Sequence, residues 1–171
     1  MSLILSIDPG LKGGLVAIDN GGQIIRAFPM PVIKGSNELS MIGLYDCFLQ
    51  FVKARIVIEK QVGMPGQSST STLTSGQNWG KIIGMISTLQ LCDNMREFSI
   101  EYVPPVTWSK HLHKNVSCKA DTPTKVKTEL ALLQKYGKLP PTFYNRNGKL
   151  HDGMADALGI CHWYLETQVK G

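Results

Sequence analysis

The chain alternates between short apolar runs and longer stretches of helical period. The first run, LILSID at residues 3–8, has the length of a buried strand and is closed by the turn signal Asp8-Pro9-Gly10. The stretch GGLVAIDNGGQIIRAF alternates in part and breaks at Asn20-Gly21-Gly22, which supplies the positive φ angles of a tight hairpin. Three antiparallel strands are therefore expected to open the chain. Ser36 and Asn37 then offer a cap for a helix whose apolar positions Ile42, Tyr45, Phe48, Leu49 and Val52 fall on one face. ARIVIE, β-branched and apolar, predicts a fourth strand ending on Glu59, and FSIEYV predicts a fifth.

Between those two strands a polar segment, GMPGQSSTSTLTSGQN, leads into a long helix carrying Trp79, Ile82, Ile83, Ile86 and Leu89. Pro104-Pro105 halts the sheet, and a basic stretch covers residues 110–127. PTKVKTELALLQKYG has proline at a helix start and glycine past its end. A Pro/Gly-rich linker, KLPPTFYNRNG, delivers the last helix, and no internal repeat is present. Strands first, then alternating helices and strands, then helices alone predict an α/β fold, a mixed five-stranded sheet with helices on both faces.

The last helix, over residues 149–165, changes the picture. It is apolar, yet it carries Asp152 and Asp156 four residues apart, which puts two like charges on one face. They repel unless a cation or proton intervenes; the alternative is that both simply face water in the first turn. In an open α/β sheet the functional crevice lies at the carboxyl ends of parallel strands, where Asp8 and Glu59 stand. If those strands are neighbours, four carboxylates share a pocket, and a hard divalent cation such as Mg²⁺ or Mn²⁺ resolves the repulsion. Cys47, Cys92, Cys118 and Cys161 form no C-x-x-C pair and have no histidine at ligand spacing, which argues against zinc and predicts reduced thiols.

Composition adds less. A chain of 171 residues with 43% hydrophobic content predicts one domain over 1–171. A formal net charge of +5 suits a phosphate-bearing partner, although ordinary enzymes share it. No apolar stretch reaches the roughly 20 residues of a membrane span, and no basic leader precedes Asp8. A soluble, intracellular protein with no membrane contact is expected.

Three motifs in order, SIDPGLKGGLVAID, IVIEK with GMPGQSSTS, and HDGMADALGI, resemble those of the RuvC-like Holliday junction resolvases, most closely the phage and organellar branch. The resemblance covers residues 3–158 and implies an RNase H-like fold. It also implies a homodimeric endonuclease that cuts four-way junctions in branched DNA with two Mg²⁺ ions per site, Mn²⁺ substituting, and leaves 5′-phosphate and 3′-hydroxyl ends. On this resemblance Asp8 matches the strand-end aspartate that bridges both metals, Glu59 the strand-end glutamate, and Asp156 the final helix aspartate. Bacterial members place an Asp or His three residues before that last acid, where this chain has Gly153; Asp152, four residues before, looks like the organellar variant. His151 beside it reads as a cap or phosphate contact.

Lys119 and Lys125 resemble a basic segment that contacts the scissile phosphate, and Lys127 belongs to the same run; a solvated lysine face is the plainer reading. Some bacterial relatives carry an aromatic wedge shortly after the glutamate. Here those positions hold Val62 and Met64, of which Met64 offers a wedge. Ser68, Ser69 and Thr70 can hold sugar-phosphate through small hydroxyls and backbone N–H groups, or belong to a plain flexible loop. Lys12 reads as a phosphate contact or an exposed lysine. Trp79, Trp108 and Trp163 read as core. Gly80 and Gly84 form a small-residue strip that the resemblance assigns to a dimer interface and packing within one protomer explains as well. Three other functions stay open: a phosphate-cradling turn of the actin and sugar-kinase type, a nuclease for RNA–DNA hybrid or other branched DNA, and a junction-binding protein that does not cut.

Overall fold

The structure is a computed structural model and describes residues 3–61, 68–119 and 121–170. Five strands, β1 (Leu3–Asp8), β2 (Gly14–Ile18), β3 (Ile24–Pro29), β4 (Lys53–Glu59) and β5 (Glu97–Val103), form one sheet in the order β3-β2-β1-β4-β5. The first three are antiparallel neighbours, whereas β4 runs parallel to β1 and β5 parallel to β4. The β2–β3 turn follows its sequence signal. Gly22 takes φ 90°, and Asp19 Oδ1 accepts from the backbone N–H groups of Gly21 (2.9 Å) and Gln23 (2.8 Å).

Strand alternation sends side chains to two layers. Leu5, Ile7, Ile56 and Ile58 pack under α1 (Met41–Leu49) and α2 (Ser69–Cys92). Ile4, Val16 and Val57 pack under α3 (Pro105–His113), α4 (Thr124–Tyr136) and α5 (Asp152–Tyr164), so helices cover both faces. Helix α5 is buried along most of its length and lies across β1 and β2. Ser6 fixes it there. Its hydroxyl lies in hydrogen-bonding reach of the Ala157 carbonyl and 2.9 Å from Cys161 Sγ, which satisfies a polar group buried under the helix.

Three elements differ from the sequence reading. Helix α1 begins at Met41, with Ser40 Oγ accepting from the Gly43 N–H, because residues 31–40 are held in a loop by bonds such as Ile33 N–H to Glu38 O and Ser40 N–H to Pro31 O. Its buried face is Leu44, Cys47 and Phe48, while Ile42, Tyr45, Leu49 and Val52 are exposed. The polar run from Ser69 onward is helical, not loop: α2 starts at Ser69, and the Thr72 and Thr74 hydroxyls donate back to the Ser68 and Thr70 carbonyls. Pro105 does not merely end the sheet but opens α3, since proline at the first helical position forfeits only an N–H that the helix leaves unpaired. Gly80 and Gly84 face open space, so packing within the protomer does not explain their strip. Among the described residues no helix is long and apolar enough to cross a membrane.

Beyond α5 the chain widens into one turn of π-helix, Leu165–Val169, which aims Glu166 at three helices. His111 of α3 (2.9 Å) and His162 of α5 (3.0 Å) meet Glu166 Oε2, and Lys135 of α4 meets Oε1. Burial pushes the Glu166 carboxyl up, but Lys135 and His111 overcome it and hold the group down at about 2; burial lowers His162 to about 4. Between pH 6.5 and 4 the unfolded chain then carries a proton on His162 that the folded chain lacks, so this contribution to stability is lost as pH falls through that window. Depressed Glu166 acts in the same direction below its ordinary range. The melting advantage of the wild type over His162→Asn is expected to shrink between pH 7 and pH 4.5. Taking the difference removes carboxylates common to both proteins, and an advantage that grows in acid would contradict the assignment.

Candidate active site

The parallel pairing of β1 with β4, in register Ile7 with Ile58, places the next residues, Asp8 and Glu59, side by side where the strands end. Asp8 leaves the sheet at Pro9, and its Oδ1 accepts the Gly10 N–H at 3.1 Å. Glu59 Oε1 accepts the Trp108 indole N–H at 2.9 Å.

The acids of α5 arrive through glycine. Gly13 and Gly153 form an isolated parallel bridge, backbone against backbone. A Cβ on Gly153 would lie 2.1 Å from the Lys12 carbonyl oxygen and 2.3 Å from Gly13 Cα, and one on Gly13 would lie 2.0 Å from the Asp8 carbonyl oxygen. Glycine on both sides thus lets the helix start touch the turn after β1. A side chain at 153 would meet backbone atoms, and Asp152 stands beside it in the first turn of α5. His151 caps that turn, its Nδ1 accepting the Met154 N–H at 3.3 Å, which is the capping role read from sequence.

Asp8, Glu59 and Asp156 are half-buried, and Asp152 is exposed. Burial raises the Asp156 carboxyl to about 7, aided by the charges of Asp8, Glu59 and Asp152. Burial likewise raises Glu59 to about 7, with the Asp8 charge adding and the Trp108 bond opposing. Asp8 is raised by burial against the Gly10 bond and the His151 charge. Asp152 pairs with Lys125, whose ammonium also feels Asp156. The four acids therefore share one field. Among the described residues no group of three or more His, Cys, Asp or Glu side chains is placed to hold a metal ion. The donors at this end of the sheet are all carboxylate oxygens, the chemistry of a hard cation such as Mg²⁺ or Mn²⁺ rather than zinc.

Open grooves flank the cluster. One of about 640 Å³, lined by Lys125, Asn145, Lys149, Asp152 and Asp156, runs between α4 and α5. Another of about 640 Å³ is lined by Lys12, Ser68, Thr70 and Asn78 beside the Pro9–Lys12 turn. Lys12, Lys125, Ser68 and Thr70 thus border the site or its grooves. Ser69, in the first turn of α2, lines neither. Lys119 is exposed and joined to no member of the cluster among the described residues, and Lys127 lies near His113. Met64 falls outside the described residues. Sequence reading missed Trp108 as a partner of Glu59 and missed Asn145 and Lys149 on the groove. An indole in the first turns after the fifth strand was the available sign of the first; nothing local marked the others.

No family model and no curated protein sequence matches this chain. Solved structures do: T. thermophilus RuvC in complex with Holliday junction substrate matches with a TM-score of 0.59 over 98% of this chain and 97% of that one, at 14% identity. A second Thermus thermophilus RuvC structure matches with a TM-score of 0.56 over 96% and 95%, at 16% identity. The mixed sheet, its strand order and the helices on both faces are accordingly the RNase H-like fold that this chain shares with RuvC.

Proposed function

We propose that residues 1–171 act as one nuclease domain, a Mg²⁺-dependent endonuclease that cuts four-way DNA junctions in paired strands as a homodimer. The observation that carries this reading is the convergence of Asp8, Glu59 and Asp156, with Asp152 on the rim, at the carboxyl ends of the parallel strand pair. Their mutual repulsion favours a cation, and the likeness to a RuvC structure solved with a junction supports the substrate.

Asp8, Glu59, Asp152 and Asp156 would hold two Mg²⁺ or Mn²⁺ ions. When bound, such ions lower the pKa of coordinated water and offset charge on a leaving oxygen. The protein's own part is placement. Asp8, whose Oδ1 accepts the Gly10 N–H, acts through its charge on both Glu59 and Asp156. Lys125 offsets the charge of Asp152 and lines the adjoining groove, where it would offset the charge of a bound phosphate in the same way. Lys12, Ser68 and Thr70 line the groove on the other side, suited to backbone contacts that carry no sequence information. The bare strip at Gly80 and Gly84 on α2 leaves room for close approach by the same helix of a second copy, which would supply one site per strand.

Asp156→Asn is expected to lose cleavage by about a thousandfold, on the order of 4 kcal/mol in barrier, because that carboxylate feels all the others. Asp152→Asn, at an exposed position, should lose less; equal losses in single-turnover cleavage would make both full ligands. The whole reading is tested by purified protein, with and without Mg²⁺, on a labelled mobile four-way junction beside linear duplex, a fork and an RNA–DNA hybrid. Symmetric, metal-dependent cuts in the junction alone support it. Cutting of the fork or hybrid transfers the site to another substrate, and junction binding without cutting under any metal overturns catalysis.

A further inference from the structure

Trp108 makes two contacts that a plain core residue does not need. It is 4% exposed on α3, its indole N–H is 2.9 Å from Glu59 Oε1, and it is the described side chain that donates to that carboxylate. The other edge of the ring lies against α5 at Gly159, where a Cβ would stand 2.9 Å from Trp108 Cζ3 and 3.2 Å from Cε3. Gly159 follows Asp156 by three residues, nearly one helical turn. One rigid side chain therefore touches the glutamate of β4 at one end and the helix that carries both aspartates at the other.

We propose that Trp108 is a positioning residue for the cleavage site: its N–H fixes the orientation of the Glu59 carboxylate, and its ring sets the spacing between β4 and α5. This deepens the metal-dependent nuclease reading and rests on it. An indole suits the task because it is a donor only and carries no charge, so it can hold one carboxylate oxygen without competing with a cation for the site. A bidentate arginine or a lysine there would neutralise the ligand it orients. Hydrogen bonds of this kind to metal-binding carboxylates tune affinity by about tenfold to a hundredfold. The absence of a side chain at Gly159 is the matching condition on α5, since any larger residue would push the ring away from its place.

The test separates the N–H from the shape. Trp108→Phe removes the donor and some volume, and a benzothienyl-alanine at 108, in which sulfur replaces the ring N–H, removes the donor alone. Both are expected to weaken Mn²⁺ binding, read by titration calorimetry, by about tenfold or more. Both should lower kcat for junction cleavage with KM unchanged. In the unmodified protein the Trp108 indole N–H resonance, assigned by its disappearance in Trp108→Phe, should move on Glu59→Gln and again on adding Mg²⁺. Wild-type Mn²⁺ affinity in the benzothienyl protein would reduce Trp108 to packing, and an indole resonance indifferent to Glu59→Gln would remove the bond itself. If the wild type binds Mn²⁺ and cuts while both substitutions leave affinity intact, the positioning role alone falls. If the wild type binds no Mn²⁺ at all, the metal reading falls and takes this role with it.

Discussion

Asp8→Asn is expected to abolish junction cleavage, by at least about a thousandfold or some 4 kcal/mol in barrier, while junction binding is retained. Asp8 sits at the end of β1 beside Glu59, and its charge acts on both Glu59 and Asp156. Asparagine keeps the size and still offers an oxygen to the Gly10 N–H, so the turn after the strand has no reason to rearrange. It removes the charge that would attract a divalent cation. Binding follows a different rule. Phosphate contacts dominate it, and losing one negative charge from a chain of formal net charge +5 does not weaken them. A gel-shift with the junction in parallel with a cleavage gel reads both quantities, and undiminished cleavage would remove Asp8 from the reaction.

Gly153→Ala should be nearly as damaging by another route. The added methyl would meet the Lys12 carbonyl at 2.1 Å and Gly13 Cα at 2.3 Å, and both are backbone atoms that cannot swing aside. Either α5 lifts from the β1–β2 turn or the turn opens, at a cost of about 3 kcal/mol, the upper end for overpacking. For a chain of this length that lowers the melting temperature by roughly 6–12 °C. Cleavage should fall further than the stability loss explains at 25 °C, because the displaced segment carries Asp152 and Asp156. Gly153→Asp, which would place a carboxylate three residues before Asp156, is expected to fail for the same steric reason. A well-folded, active Gly153→Ala protein would show that the Gly13–Gly153 contact is not what seats the helix.

The parts of this site that could be read in advance are those written in short range. Each of the strands β1 and β4 is an apolar run ending in an acid, so the meeting of Asp8 and Glu59 was legible on the condition that the two strands are neighbours, which their parallel pairing meets. The i, i+4 spacing of Asp152 and Asp156 was legible too. What failed needed partners distant in sequence. Around α1 the apolar residues occupy more than one stripe, and periodicity alone cannot say that Leu44 and Phe48 meet the sheet while Ile42 stays 78% exposed. Helix α3 was hidden because proline reads as a breaker until its position at the helix start is known. The service of Trp108 to Glu59 was invisible for a related reason: an indole in an apolar segment announces burial, not the direction of its one polar atom.

The seat of α5 has a consequence for when the site comes into being. Ser6 and the Ala157 carbonyl that it reaches are 151 positions apart, and the aspartates at 8 and 156 span nearly the same interval. During synthesis β1 leaves the ribosome well before α5, and the two can pair only once the residues between them have been made. A partly made chain thus holds only half of the acidic cluster. Closing so long a loop is slow compared with forming local hairpins and helices, so it belongs to the late steps of folding. The pairing of β1 with α5 thus acts as a built-in delay, since the four carboxylates share one end of the sheet only once α5 lies across β1.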